Sequence, residues 1–588
     1  MRARVSAEAA AALGLGSLPV VALGLADGGF YPRPWGWAAF GLACAAVAAT
    51  LARRKLVLSR RPLLLLGLLL ALGAWIVASL VWTRSVGLGV FELQRLLVYL
   101  TGVGAAALLI RRRTAPALVL GVYLGTGTLA IWGLVSYLVT REGVTDVFQG
   151  SFLHRPAGYA NAMAIVAVIA FLLALGLVSD AQSRLARVGA AASLVPLASA
   201  LALTGSRAAW GALFVGAAIS LALTPNRART STKWVGVLLV PIVAVVLVSS
   251  TDVTSSRVTG IAADRLGDRL LATLVVLTAL AAGPALLVIH RPVVDGRLVS
   301  RLRFRLVLFA ALVGVVVAGF VLRLPDLAGD RRTFWAVAVD EFREQPLLGS
   351  GAGTYAQVWL ERRSSDASVR DAHSLVLEAL SELGIVGLLL VVMLLGAPLA
   401  WGIRSRTSPL APAAEGAFGA YAAHACVDWD WEMPAVTLAG LFCAVALGST
   451  ADGLRQHVLS PAGRGVAVAA GAIAATLALA GFLGSAAMED ASRAFARGDV
   501  SAADAAAKRA ERWQPWSADP LLVRGRARLS MGDRAAARGL FVRAAGRDPN
   551  DYRVWLALAA VTEGDVAQAA VIRARELNPR AVRGLSAS

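Results

Sequence analysis

Apolar runs of about 20 residues recur along this 588-residue chain, and each is long enough to cross a hydrocarbon core of roughly 30 Å as a helix. Inside lipid every backbone N–H and C=O needs an internal partner, so a chain made of such runs folds as a bundle of helices. With 57% hydrophobic residues and a mean hydropathy of +0.67, a soluble globular fold is excluded. The expected class is all-α, a polytopic transmembrane helical bundle of about 12–15 spans.

The net charge of +20 resembles a nucleic-acid signal until its location is traced. Most arginines sit in short loops between apolar runs rather than on one basic face, so no nucleic-acid partner is expected. Cys44, Cys426 and Cys443 lie within or at the ends of apolar segments without CxxC spacing, which points to neither a disulfide framework nor a metal cluster.

Positive charge in short loops marks the cytoplasmic side. The rich loops are Arg53–Arg61, Arg111–Arg113, Arg184–Arg187, Arg227–Lys233, Arg291–Arg305, Arg404–Arg406 and Arg455–Arg464. Spans near 8–26, 35–52, 62–83, 91–110, 115–139, 160–179, 188–204, 208–225, 234–250, 270–290, 306–323, 374–402, 413–427, 434–451 and 465–486 put every one of them inside. The first run lacks a cleavage site and reads as a span, not a signal peptide. Outside then fall the 140–159 loop, the turn at Ser206-Arg207, the 251–269 loop, a large loop at 324–373, and His424–Glu432.

After about Met488 the chain becomes polar and alanine-rich. Gly-Asp pairs recur at Gly498-Asp499, Gly532-Asp533 and Gly564-Asp565, with Pro515, Pro549 and Pro579 as punctuation. A period near 34 of this kind is the tetratricopeptide pattern, and Trp555, Leu558, Ala567 and Ala570 fit its packing positions. The division is therefore 1–487, a membrane domain, and 488–588, a tetratricopeptide-like α-solenoid on the outer side. Such repeats form a concave surface for a peptide or an envelope protein, or act as a packing spacer.

The residues suited to chemistry gather on the outer side. His154, His290, His373, His424 and His457 show no HExxH or Cys/His cluster, so no metal is expected. Asp428-Trp-Asp430 reads as a DxD motif, a weak signal for a cation bound with a diphosphate. There is no P-loop and no GxGxxG after a strand, so no nucleotide or other cofactor is expected and the energy must arrive with the substrate. Arginine grips phosphate oxygens through paired hydrogen bonds, and Arg207, just after Gly205-Ser206 at a helix start, adds the field of free backbone N–H groups. Histidine, largely neutral at neutral pH, suits a proton acceptor for an attacking hydroxyl. His373, at the mouth of a span, is that candidate or a helix cap.

Four stretches together resemble the O-antigen ligase and polymerase superfamily of membrane glycosyltransferases. They are HRPAGYANAMA at 154–164, LTGSRAAW at 203–210, RRTFWAVAVDEFREQPLLGSGAGTY at 331–355 and AHSLVLEALSELGIVGL at 372–388. The resemblance implies a GT-C-like bundle in the bacterial cytoplasmic (inner) membrane, with an undecaprenyl-diphosphate-linked glycan as donor and a lipid, glycan or protein as acceptor. Residue by residue it makes His373 the catalytic base and assigns Arg207 and Arg331 to the donor diphosphate, with Arg332 able to take Arg331's place. Arg155, Asn161, His424 and Asp428 are further candidates. The sequence departs from the family pattern at Ser374, where Asn follows the histidine, and at Ala160, before Asn161. The expected function is a metal-independent, inverting transfer of a glycan to an acceptor hydroxyl at the outer face. A transporter of polysaccharide or lipid-linked sugar and a non-catalytic envelope scaffold are the alternatives.

Overall fold

The structure, a computed structural model, describes residues 2–53, 55–140, 146, 148–254, 261–288, 331–367, 369–451 and 456–581. Among the described residues it is all-α, with 21 α-helices and 80% of those residues helical. Twelve are long and apolar enough to cross a bilayer. In chain order these are α1 (Arg2–Gly24), α2 (Pro32–Ala52), α3 (Arg60–Ser79), α4 (Val86–Leu109), α5 (Ala115–Val139), α6 (Ala160–Asp180), α7 (Arg184–Leu203), α9 (Arg227–Ser249), α10 (Ile261–Val288), α13 (Leu375–Ser405), α15 (Pro434–Ala451) and α16 (Pro461–Ala496). Two shorter helices, α8 (Arg207–Leu223) and α14 (Ala411–Ala425), occupy two further expected spans. The expected span at 306–323, the Arg291–Arg305 loop and His290 lie outside the described residues.

Burial sorts these helices into centre and rim. α6 and α15 have 94% of their apolar windows buried, against 11% for α16. The α6 sequence, AMAIVAVIAFLLALGLV, is apolar on every face and suits only a helix surrounded by others. α16 lies along α2 at the rim, where its exposed leucines and isoleucine face the surroundings. One pair of short strands, β1 (Val57–Ser59) and β2 (Gln456–Val458), joins the loop after α2 to the loop before α16 in antiparallel register.

Two sequence expectations shift at their edges. The 251–269 loop is half helix, because α10 already begins at Ile261 and its polar first turns extend the span. The large loop is also structured: α11 (Arg331–Glu344) and α12 (Tyr355–Arg362) are short amphipathic helices within it.

That segment is hooked onto α13 by main-chain bonds. Gly384 breaks α13 at φ +64, and the Pro346–Gly351 turn docks into the break. Ser350 N–H donates to the Ser381 carbonyl at 3.1 Å, Gly351 N–H to that of Glu382 at 2.8 Å, and Ile385 N–H to that of Pro346 at 3.0 Å. A Cβ on Gly384 would stand 2.3 Å from the Leu347 carbonyl oxygen, and one on Gly349 equally close to Glu382 backbone. The glycines of the Pro-Leu-Leu-Gly-x-Gly and Glu-x-Gly motifs are thus two halves of one contact. The Glu382 carboxylate completes it by accepting from Gly353 N–H at 2.8 Å and Tyr355 N–H at 2.9 Å, at the start of α12.

Beyond α16 five helices follow as successive hairpins: α17 (Val500–Trp513), α18 (Asp519–Ser530), α19 (Arg534–Arg547), α20 (Tyr552–Ala559) and α21 (Gly564–Leu577). Asp499 and Asp533 cap α17 and α19 by accepting from Ala502 and Ala536 N–H, each at 3.0 Å, after glycines with positive φ. At the third Gly-Asp pair the helix starts two residues earlier, at Gly564 itself. The hairpins rest on the same end of the bundle as α11 and α12. Asp548 accepts from Ser85 Oγ at 2.6 Å, and Arg580 meets Asp366 at 2.8 Å.

Candidate active site

Where the chain leaves α12 for α13, Asp371 shapes the turn. Its Oδ1 accepts the backbone N–H of His373 at 3.2 Å and lies 2.9 Å from Nδ1 of the same histidine, whose backbone sits in the left-handed region at φ +52. Asp371 is thereby both the scaffold of the turn and the partner of the ring. With Nδ1–H donated to Asp371, Nε2 carries the lone pair and is the nitrogen able to accept a proton. His373 is not the cap of α13. That role belongs to Ser374, whose Oγ accepts Leu377 N–H at 3.3 Å.

Burial opposes the charged imidazolium, yet the hydrogen bond and charge of Asp371, with added charge from Asp428, raise the His373 pKa above its ordinary value. Burial likewise pushes Asp371 up, against the pull of His373. The ring packs on Phe334, one turn into α11, with centroids 5.1 Å apart.

Asp428 is the hub of the second half of the site. Its side chain is fully buried, and it accepts from Arg331 Nη2 at 2.6 Å, Asn161 Nδ2 at 2.6 Å, Tyr159 Oη at 2.9 Å and its neighbour's backbone N–H at 2.8 Å. Three separate parts of the sequence thus converge on one carboxylate: the 154–164 motif, the start of α11 and the segment after α14. Burial and the adjacent Asp428 charge hold the Tyr159 pKa well above normal, so the phenol stays a donor. Its ring stacks on Trp429 at 4.4 Å. Because Phe334 lies three residues after Arg331 on α11, the ring contact puts the imidazole beside the helix that begins with this arginine.

Beneath the hub, His424 and Asp430 form a fully buried pair at 2.9 Å. Beside it Arg95, inside α4, binds Glu432 at 2.7 Å and Glu92, with its guanidinium 4.8 Å from the Trp431 ring. These bonds pin the 428–432 segment from below. Of the two carboxylates of the DxD motif, Asp428 is therefore engaged by protein donors, chiefly Arg331, and Asp430 is paired in charge with His424. An apolar cavity opens next to them between α3, α4, α13 and α15, lined by Leu72, Ile76, Leu395 and Leu441, with Glu92, Glu378 and Glu382 in its wall.

The expected residues thus separate into groups. Arg331, Asn161 and Asp428 form one hydrogen-bonded network, and His373 packs on Phe334, one turn along α11 from Arg331. Arg332 is exposed beside Arg331, and Arg155 is exposed in the 150–155 segment. Arg207, half-buried, starts α8 behind the cap made by Ser206, whose Oγ accepts Ala209 N–H. It shares this end of the bundle, since Leu153 N–H bonds to Leu203 O, but it is not among the partners of Asp428. His154 is buried, with Nδ1 2.9 Å from the Phe152 carbonyl. Sequence reasoning missed Asp371, Tyr159 and the Glu92–Arg95–Glu432 cluster. The usable signals were an acid two residues before the key histidine, and charges set inside an apolar run.

No curated protein matches the chain. Residues 269–392, which carry Arg331, Asp371 and His373, match the family model described as O-antigen ligase. That segment of this multi-pass helical membrane protein is similar to the O-antigen ligase family.

Proposed function

We propose that the protein transfers a glycan from an undecaprenyl-diphosphate donor to an acceptor hydroxyl at the outer face of the cytoplasmic membrane. One observation carries this reading: the His373 imidazole, oriented by Asp371, packs on Phe334 one turn along α11 from Arg331, an arginine with further donors beyond the one given to Asp428. In the step, Nε2 of His373 takes the acceptor O–H proton as that oxygen attacks the anomeric carbon. The bond from this carbon to the diphosphate oxygen breaks, and the configuration inverts because the displacement is single. Arg331, with Arg332 and Arg207 at the same end, holds the departing diphosphate by forked hydrogen bonds. Engagement of Asp428 by Arg331, Asn161 and Tyr159 favours arginine for that charge. The apolar cavity suits the first units of the prenyl chain. The basic loops at the opposite end support an outer-facing site, and the C-terminal hairpins, read as tetratricopeptide-like, would lie outside with it.

The test is transfer by purified protein in lipid nanodiscs, with a polyprenyl-diphosphate glycan as donor. His373→Ala is expected to lose at least about 100-fold in turnover while still binding donor. Arg331→Lys should weaken donor binding, since lysine keeps the charge and loses the fork. Full turnover by the His373 variant would end the base assignment.

A further inference from the structure

At the end of the bundle remote from His373 there is a second polar recess. The end of α6, the first turn of α7, the first turns of α9 and the turn between α13 and α14 meet there, bringing Arg187, Arg229, Lys233 and Arg406 around one opening. Its distance from the active site follows from two helices. Asn161 and Asp180 stand 19 residues apart on α6, about 28 Å at 1.5 Å per residue. α13 likewise separates His373 from Arg406.

Four cations face a single carboxylate, Asp180, which accepts the backbone N–H of Leu410. The α6 C-terminus accounts for two of them. Lys233 Nζ donates to the Ser179 carbonyl, and Arg187 Nε donates to that of Ala181 at 2.6 Å, as cations at a helix C-terminus do. Arg229 and Arg406 have no share in that work. Both are exposed, and crowding them beside two other positive charges is unfavourable unless an anion joins the group. Polar atoms of Thr224, Gln182 and Thr407 complete the opening. On the helices that form it, Leu185 of α7, Leu239 of α9 and Ile403 of α13 are largely exposed.

From this geometry we infer that the recess is a binding site for a phosphate oxyanion, the group that guanidinium forks fit best. A recess between helix ends, on helices that expose apolar side chains, matches the headgroup of an anionic phospholipid. Soluble inorganic phosphate offers the same chemistry. The inference stands apart from the active-site reading, because none of these residues touches the Asp428 network.

Full-length protein in detergent separates the two sources. By native mass spectrometry the wild type should retain cardiolipin and release phosphatidylcholine, and Arg229→Gln/Arg406→Gln should retain about tenfold less cardiolipin. Unchanged cardiolipin retention, with loss in the double variant of a thermal stabilisation that inorganic phosphate gives the wild type, would keep the site and assign it to free phosphate. Because both side chains are exposed the variant should fold, and Arg229→Lys/Arg406→Lys, which restores charge without the fork, should recover only part of the binding. Equal cardiolipin retention and equal phosphate response in wild type and double variant overturn the inference.

Discussion

At the scale of single residues, the Asp371–His373 pair makes a prediction with a definite sign. A base must be neutral to act, and Asp371 raises the pKa of His373, so kcat/KM should climb with pH through a value above the ordinary histidine pKa of about 6.5. Asp371→Asn removes the charge that favours imidazolium. The acid limb should move to lower pH, while turnover falls about 10²-fold because Nδ1 loses its oriented acceptor. A pH–rate series on both proteins checks this, and an unmoved limb would separate Asp371 from the titration. Asp428→Ala should act otherwise, since Arg331, Asn161 and Tyr159 lose a common buried acceptor. A loss of about 2–3 kcal/mol is expected, read as a lower unfolding midpoint in detergent. Arg331, Asn161, Asp428 and His373 were all legible as motif residues in the linear sequence. That they converge was not, because convergence is set by the packing of α6, α11 and α14. Arg207 shows the converse: a recognisable motif residue that does not join the Asp428 network.

At the scale of elements, fourteen of the fifteen expected spans coincide with helices, because the length of an apolar run is a one-dimensional property that survives without knowledge of packing. The short helices α11 and α12 were hidden. They lie in a charged segment with no long apolar run, and they are held by partners distant in sequence, such as Tyr355 Oη donating to the Phe334 carbonyl at 2.9 Å. Gly384→Ala tests the element that holds them. The new Cβ meets the Leu347 carbonyl oxygen, and the backbone must keep φ +64, so about 1–3 kcal/mol of strain is expected. Hydrogen exchange should then rise over 346–362 with α6 unchanged. Uniform protection across both regions would show that the break in α13 is not what anchors the segment.

At the scale of the whole molecule, the C-terminal hairpins touch the same segment that leads to His373. Arg580 binds Asp366 and the Ser364 carbonyl, and Arg363 reaches Asn578 at 3.0 Å. Asp548 is pushed up in pKa by burial but held by Ser85 and Gln357. Asp548→Ala with Arg580→Ala should loosen the hairpins, the partly buried contacts of Asp548 and the Arg580 pair each giving about 1 kcal/mol. Limited proteolysis after Arg497 should then quicken, and an unchanged cleavage rate would show that other contacts hold them. The Gly-Asp period made these hairpins readable in the sequence, while their seat on the bundle depended on long-range bonds that no period encodes. The hook between the Pro346–Gly351 turn and α13 has its own consequence. Its main-chain bonds use peptide groups, which every amino acid but proline supplies in full, and it asks for particular residues only at its glycines and at Glu382. A lineage can therefore rewrite nearly every other letter of that segment and still hand down the same architecture around its histidine.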